Sequence, residues 1–390
     1  MFKDYLKNTL AELEKKDLKR SLRETQSAQG PLISFEGRKI LNFCSNNYLG
    51  LANDSRLGQA VVDSMKEEGY GAGAARLICG NMPSHRKLEE RMAQFKGTQK
   101  CLLFSTGYMA NIGIIAGLFD KEDIIFSDRL NHASIIDGIQ LSGAQMKRYK
   151  HADMEHLEKL LQANPHGKKR CIITDSVFSM DGDIAPLEKI VELAKLYNCI
   201  VMIDEAHALG VMGEKGKGLA EHLGLGKKID IQMGTFSKAA GSYGAYCCGS
   251  ANLINVLMNQ SRSFIYTTGL PPLVAAASIK AIEIIERDHL LREKLWDNAH
   301  YMRAGLRLAK FDCMKSSTPI IPILVKDSSL TVEFSRRLLK EGVLISAIRP
   351  PTVPVNTARL RLTVMANHSK TDIDFALNKF QKIGRELGVI

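Results

Sequence analysis

The sequence predicts an α/β fold, with a mostly parallel sheet in a large unit and a smaller α+β unit towards the carboxyl end. Two observations lead there. From about residue 40 to 250, short apolar runs alternate with stretches of helical periodicity. Strands joined through helices pair mostly in parallel, and the crossing helices cover both faces of the sheet. The second observation is capacity. With 390 residues, 45% hydrophobic and 24% charged, the chain can bury a large core without disulfides or structural metal.

The elements follow in order. Phe2, Leu6, Leu10, Leu13, Leu18 and Leu22 fall at helical spacing, so residues 2–25 are expected to form an amphipathic arm. Strands are expected at Cys101–Ser105, Asp123–Ser127, Cys171–Asp175, Ile200–Asp204, Asp230–Gly234 and Ala245–Gly249. Between them lie helical stretches such as Met154–Leu161 and Leu187–Tyr197. A long helical stretch, Pro272–Leu308, leads away from the sheet. The smaller unit reads as Ile320–Val325, a helix Thr331–Glu341, Val343–Ile345, a strand Arg359–Val364 and a closing helix Lys370–Leu387. The expected division is an N-terminal arm at 1–45, a large domain at 46–285 and a small domain at 286–390.

Composition excludes several classes. The first twenty residues are charged throughout and lack the apolar run of a signal peptide. No apolar stretch reaches the ~18 residues of a membrane span, so a soluble, cytoplasmic protein is expected. The eight cysteines form no CxxC pair and mostly sit in apolar runs such as CLLF and CIIT. They read as small core hydrophobes, and no metal site is expected. A net charge of +11 fits nucleic acid or small anionic ligands. The basic residues are dispersed and not interleaved with aromatics, which favours phosphate-bearing ligands over a base-stacking surface.

Four segments carry chemistry. Thr235-Phe236-Ser237-Lys238 follows an apolar strand and precedes Ala239, Ala240 and Gly241. Desolvation there would keep a lysine amine nucleophilic, as a Schiff-base lysine requires, and the small neighbours leave room for a cofactor. Asp204 ends the apolar strand Ile200–Asp204, where α/β folds gather their ligands. Asp204 suits a carboxylate partner for a protonated ring nitrogen, with His207 three residues on as a donor to a ring oxygen. It equally suits a structural cap of the next segment. Gly107 and Tyr108 open a helix after a strand, a natural seat for phosphate, although a plain strand–helix turn is common. His132 follows another strand end and reads either as a packing residue or as an imidazole at the same crevice. The convergence of all four on one sheet edge outweighs each alone.

Ser45-Asn46-Asn47-Tyr48-Leu49-Gly50-Leu51, Leu130-Asn131-His132-Ala133-Ser134, Val177-Phe178-Ser179-Met180-Asp181-Gly182-Asp183, Asp204-Glu205-Ala206-His207 and Thr235-Phe236-Ser237-Lys238 stand in this order along the chain. Together they resemble the signatures of the α-oxoamine synthases, fold-type I enzymes that use pyridoxal 5′-phosphate (PLP). The resemblance runs from about residue 5 to 388 and implies the decarboxylative condensation of an amino acid with an acyl-CoA. Ala347–Pro354 and Thr357–Thr363 resemble the branch that couples L-alanine to pimeloyl-CoA or a pimeloyl-carrier protein in biotin biosynthesis. A sister branch joining glycine to acetyl-CoA shares the cofactor motifs.

By this resemblance Lys238 carries the cofactor and acts as general base, Asp204 pairs with the ring nitrogen and His207 donates to the ring oxygen. His132 stacks on the ring, and Ser179 lines it. Gly107, Tyr108 and Thr235 hold the phosphate. Among substrate contacts, Asn47 lies near the reacting centre, Arg361 grips the amino-acid carboxylate and Arg349 belongs to the substrate-discriminating segment. Arg20, or Arg23 beside it, meets CoA. Thr267 and Thr268 reach the phosphate of a neighbouring subunit, which implies a homodimer with shared active sites. One departure stands out: Gly71–Arg76 carries alanines where relatives place serine or threonine, and this loop bears on the acyl group.

Overall fold

The computed structural model describes residues 1–15, 18–20 and 22–390. Among these the strands, in chain order, are β1 (Leu32–Phe35), β2 (Arg38–Asn42), β3 (Lys100–Phe104), β4 (Ile124–Asp128), β5 (Gln145–Tyr149), β6 (Arg170–Asp175) and β7 (Ile200–Asp204). There follow β8 (Ile231–Thr235), β9 (Ala245–Gly249), β10 (Ile320–Lys326), β11 (Val343–Leu344), β12 (Ser346–Ile348) and β13 (Ala358–Thr363). The central sheet has seven strands in the order β3-β9-β8-β7-β6-β4-β5. Neighbours from β8 to β5 pair in parallel, whereas β9 runs antiparallel to both β8 and β3.

Apolar runs make this sheet because both of its faces are buried. Ile172, Val201 and Ile203 pack into one layer of core, while Cys171, Ile173 and Met202 point into the other. Helices cover each side, so the strands read as continuous hydrophobic stretches with no polar face. The strand β5 escapes sequence reading for the opposite reason. It is a half-exposed edge strand of sequence QMKRY and lacks an apolar run.

The second core gathers Met302, Phe334, Leu360, Leu362 and Phe380 with Leu41 and Phe43 from near the amino end. The link is a small sheet: β2 pairs antiparallel with β1 and parallel with β11. A further sheet sets β13 between β10 and β12. Buried apolar residues of β13 anchor it, and the same strand carries Arg359 and Arg361.

Three expectations need correction. The amino-terminal helix runs only over Phe2–Lys15, and Lys16, Asp17 and Ser21 lie outside the described residues. Residues beyond are captured by tertiary contacts: Thr25 bridges to Phe35, and Arg23 bonds Glu36 and stacks 4.7 Å from the Phe35 ring. The long helical stretch is two helices, Pro272–Arg287 and His289–Leu308. Asp288, at φ −98° and ψ 81°, sits between them in a non-helical conformation, and its side chain makes no cap hydrogen bond to the second helix. Lastly, all eight cysteines are free, but Cys79 is exposed rather than part of a core.

Glu205, directly after β7, is wholly buried and accepts from Lys96 Nζ and, at 2.9 Å, from Ala220 N. Lys96 ends the helix Pro83–Lys96 and also donates to Lys217 O at 2.6 Å. This pair pins the turn that leaves Asp204. Another clamp lies across the carboxyl ends of the strands. The His151 imidazole meets Asp128 at 3.0 Å and Asp183 at 2.7 Å. Burial opposes its charge, but the hydrogen bonds to Asp128 and Asp183 win and raise its pKa to about 9.

Removing one member of the Lys96–Glu205 pair strands a buried charge. Glu205→Gln should therefore lower unfolding stability by about 3–5 kcal/mol in urea titrations, and the double replacement Lys96→Met with Glu205→Leu should cost less. For His151 the folded pKa lies above the ordinary ~6.5, so its contribution is complete below that value and lost as pH rises through about 9. The melting temperature of the unaltered protein should fall between pH 7 and 10 more steeply than that of His151→Gln. Parallel curves would remove the imidazolium clamp.

Candidate active site

The carboxyl ends of β4, β6, β7 and β8 and the turn after β3 open onto one cavity of about 160 Å³. Gly107, Tyr108, His132, Ser179, Asp204, His207, Thr235 and Lys238 all line it. Larger hollows of 660 and 880 Å³ lie at the amino ends of the strands and beside the helix His289–Leu308. They hold none of these groups, so the chemistry marks the site and volume does not.

Asp204 is almost fully buried, and its carboxylate accepts from Asn111 Nδ2 and from Ala206 N, both at 2.8 Å. A buried carboxylate needs such donors. Asn111 lies one turn into the helix Gly107–Leu118 and gives its amide also to Ser134 Oγ at 2.9 Å. Ser134 meets His132 Nδ1 at 2.7 Å and offers it the backbone N–H at 3.3 Å. Nδ1 thus serves as acceptor and caps the helix Ala133–Ser142, so Nε2 carries the ring proton. Burial lowers the His132 pKa, although Asp204 pulls it upward. One chain of hydrogen bonds thereby fixes the Asp204 carboxylate relative to the His132 ring.

His207 is neutral as well: burial lowers its pKa well below the usual value, and Lys238 and Arg361 act in the same direction. Its Nδ1 lies 2.6 Å from the Tyr48 hydroxyl, while Asn46 Oδ1 is 3.4 Å from that oxygen. Burial raises the Tyr48 pKa to about 12 and keeps the phenol protonated. His207 itself lines the cavity.

Lys238 is half-buried, and its Nζ has no hydrogen-bond acceptor among the described residues. Burial lowers its pKa, against the pull of Asp204 and Asp175. A lysine held this way is biased towards the free amine and is a ready nucleophile and base. At the mouth of the helix Gly107–Leu118, Thr106 takes the N–H of Met109 and leaves those of Gly107 and Tyr108 for an anion. Thr235 Oγ1 lies 2.8 Å from Ser237 Oγ, which puts two hydroxyls at the same end.

Arg361 approaches from the small domain. Its Nε donates to Ser179 O at 2.5 Å and its Nη2 to Asn46 Oδ1 at 3.0 Å. Asn47 is buried, with Oδ1 accepting from Ala52 N and Nδ2 lacking any partner among the described residues. Neither Arg361 nor Asn47 is among the residues lining the cavity, and nor are Thr267, Thr268, Arg349 and Arg20. Thr267 and Thr268 line a separate small hollow with Arg76 and Phe104, and Thr268 bridges to Ala75. Arg349 follows β12 and Arg20 is exposed on the arm.

Sequence reading missed Asn111, Ser134 and Asp175. Asp175 ends β6 and is the register partner of Asp204. It accepts from His132 N at 3.1 Å, and burial beside the Asp204 charge raises its pKa well above the usual carboxylate range. The rule that singled out Asp204, an acidic residue closing an apolar strand, would have found it. Asn111 carries the weaker signal of lying four residues past Gly107.

Comparisons with known proteins agree with this site. The chain is 47% identical over 388 residues to the 8-amino-7-oxononanoate synthase of Thermoanaerobacter pseudethanolicus, covering 99% of this chain and 98% of that one. It is 49% identical over 383 residues to the enzyme of the same name from Citrifermentans bemidjiense, covering 98% of both. A solved serine palmitoyltransferase from S. paucimobilis, with a PLP–myriocin aldimine bound, superposes with a TM-score of 0.94 at 31% identity, covering 99% of this chain and 98% of that one. The aminotransferase class I and II family matches residues 38–380, and the chain belongs to that family.

Proposed function

We propose that this protein is an α-oxoamine synthase of the 8-amino-7-oxononanoate type, with PLP as its cofactor. It joins L-alanine to pimeloyl-CoA or a pimeloyl-carrier protein and releases the thiol and carbon dioxide, in biotin biosynthesis. The observation that carries this reading is the convergence of an amine with a lowered pKa, a fixed buried carboxylate, two neutral imidazoles and an open helix N-terminus on one cavity.

The residues suit the cofactor. Asp204 is held by two donors and turns towards the cavity a carboxylate suited to a protonated ring nitrogen. His207 Nε2 donates to a ring oxygen, and the His132 ring covers a face. The N–H groups of Gly107 and Tyr108 hold a phosphate, beside Thr235, whose hydroxyl gives its hydrogen to Gly244 O at 2.7 Å. When bound, PLP supplies an electron sink for the pair left on the amino-acid α-carbon after proton removal.

The chain's own groups do the rest. Lys238 Nζ accepts the α-proton, for which its lowered pKa suits it. Arg361 receives the amino-acid carboxylate and sets which bond at the α-carbon faces Lys238, a task a planar guanidinium fork performs better than an ammonium. Asn47 Nδ2, buried without a partner among the described residues, is a donor in reserve for the reacting centre. Arg349, and Arg20 on the arm, are assigned to the acyl thioester. The reading includes a cytoplasmic homodimer, supported by Thr267 and Thr268 lying away from their own chain's cavity. Among the described residues no helix is long and apolar enough to cross a membrane.

Two measurements test the reading. CoA release by the PLP-loaded protein should strongly favour L-alanine with pimeloyl-CoA over glycine with acetyl-CoA; the reverse order would move the protein to the sister branch with its cofactor site intact. Lys238→Ala should retain the melting behaviour of the fold and lose about 10³-fold or more in turnover, the scale of a lost general base. Near-normal turnover would end the assignment of Lys238.

A further inference from the structure

The motif Ser179-Met180-Asp181-Gly182-Asp183 contributes Ser179 to the cavity, while Asp183 joins the His151 clamp and Asp181 lies outside both. Each is paired, and from opposite sides. Asp181 Oδ1 accepts from Arg359 Nη1, and Arg359 on β13 is 2% exposed. Asp183 Oδ2 lies 2.7 Å from His151 Nε2, whose other nitrogen holds Asp128 at the end of β4. Between them Gly182 accepts at its carbonyl from Thr318 Oγ1 at 2.9 Å and Ser317 N at 3.1 Å. Gly182 has φ +66°, and a β-carbon there would stand 2.1 Å from Ile320 O, so the loop lies directly on the small-domain backbone.

The consequence falls on Arg361. Arg359 and Arg361 alternate along β13, and the loop that the first grips through Asp181 presents the Ser179 carbonyl to Nε of the second. We infer that Asp181 and Asp183 are positioning residues, clamping the Phe178–Asp183 loop between Arg359 and His151 so that Ser179 O fixes the Arg361 guanidinium for the amino-acid carboxylate. This rests on the carboxylate-binding reading of Arg361. A guanidinium has five donors in one plane, so fixing Nε and Nη2 sets the direction of the rest. Removing the clamp leaves that arginine present but misaimed.

The readout is a split between substrates. In the PLP-loaded enzyme, Asp181→Asn should raise KM for L-alanine about tenfold, on the order of 1.4 kcal/mol, while KM for pimeloyl-CoA and retention of bound PLP stay within about twofold. Asp183→Asn should move the same parameter in the same direction, and Asp181→Glu should restore much of the loss. Arg359→Lys keeps the charge without the fork and serves if Asp181→Asn does not fold. Combined with Arg361→Lys, Asp181→Asn should add little, because both act through one guanidinium.

Unchanged L-alanine KM in Asp181→Asn, beside a raised value in Arg361→Lys, would overturn the clamp alone. Unchanged KM in Arg361→Lys would overturn the underlying reading of Arg361. A general loss, with both KM values and PLP retention shifted together, would reduce the aspartates to structural support and also overturn the inference.

Discussion

A carboxylate at the closed end of an apolar strand must be given donors, and much of this site follows from how Asp204 is given them. Ala206 N takes one oxygen and Asn111 the other. Because Asn111 also reaches Ser134, and Ser134 reaches His132, the solvation of one charge fixes groups on three separate elements. The adjacent Glu205 meets the same problem with Lys96 and Ala220. Two consecutive acidic residues are thus buried in opposite ways, one by an ion pair and one by neutral donors. The neutral solution leaves Asp204 its charge to spend on a ligand, whereas that of Glu205 is spent on the fold.

The electrostatics of the cavity reinforce one another. Lys238, His132 and His207 all have lowered pKa values, with burial the first cause in each. Burial thus disfavours the charged form of all three, and Arg361 approaches them through its hydrogen bonds to Ser179 O and Asn46 Oδ1. Asp175, pushed towards its neutral form by the same burial, sits beside Asp204 without doubling the negative charge. The site thus brings a hydrogen-bonded carboxylate together with nitrogens whose protonation burial disfavours.

The small domain is tied to this arrangement through β13 and the Phe178–Asp183 loop, and elsewhere through Trp296 Nε1, which donates to Val211 O at 2.9 Å, and Ala366 N, which donates to Tyr48 O at 2.7 Å. Arg359 and Arg361 meet that loop at Asp181 and Ser179, and Thr318 and Ser317 meet it at Gly182. On the far side His151 joins it to the strand that leads to His132. The loop thereby couples the seating of the small domain to the geometry of the cavity.

Much of this was legible in the chain itself. Apolar runs located six of the seven central strands to within a residue at either end, because a strand buried on both faces leaves no ambiguity of pattern. Strand ends then named Asp204, His207, Lys238 and Gly107, since residues there face the ligand side of any parallel sheet. The polar edge strand β5, the break at Asp288 and the early end of the first helix were not legible, because tertiary contacts or exposure set them and local periodicity does not. Nor was it visible that Asn111 and Ser134 wire Asp204 to His132, or that Asp181 and Asp183 take opposite cations. Sequence determined which residue types stand at the crevice, through pattern and position along each strand. Only the tertiary structure decided which of them touch, because hydrogen-bond partners many tens of residues apart are chosen by strand order and packing.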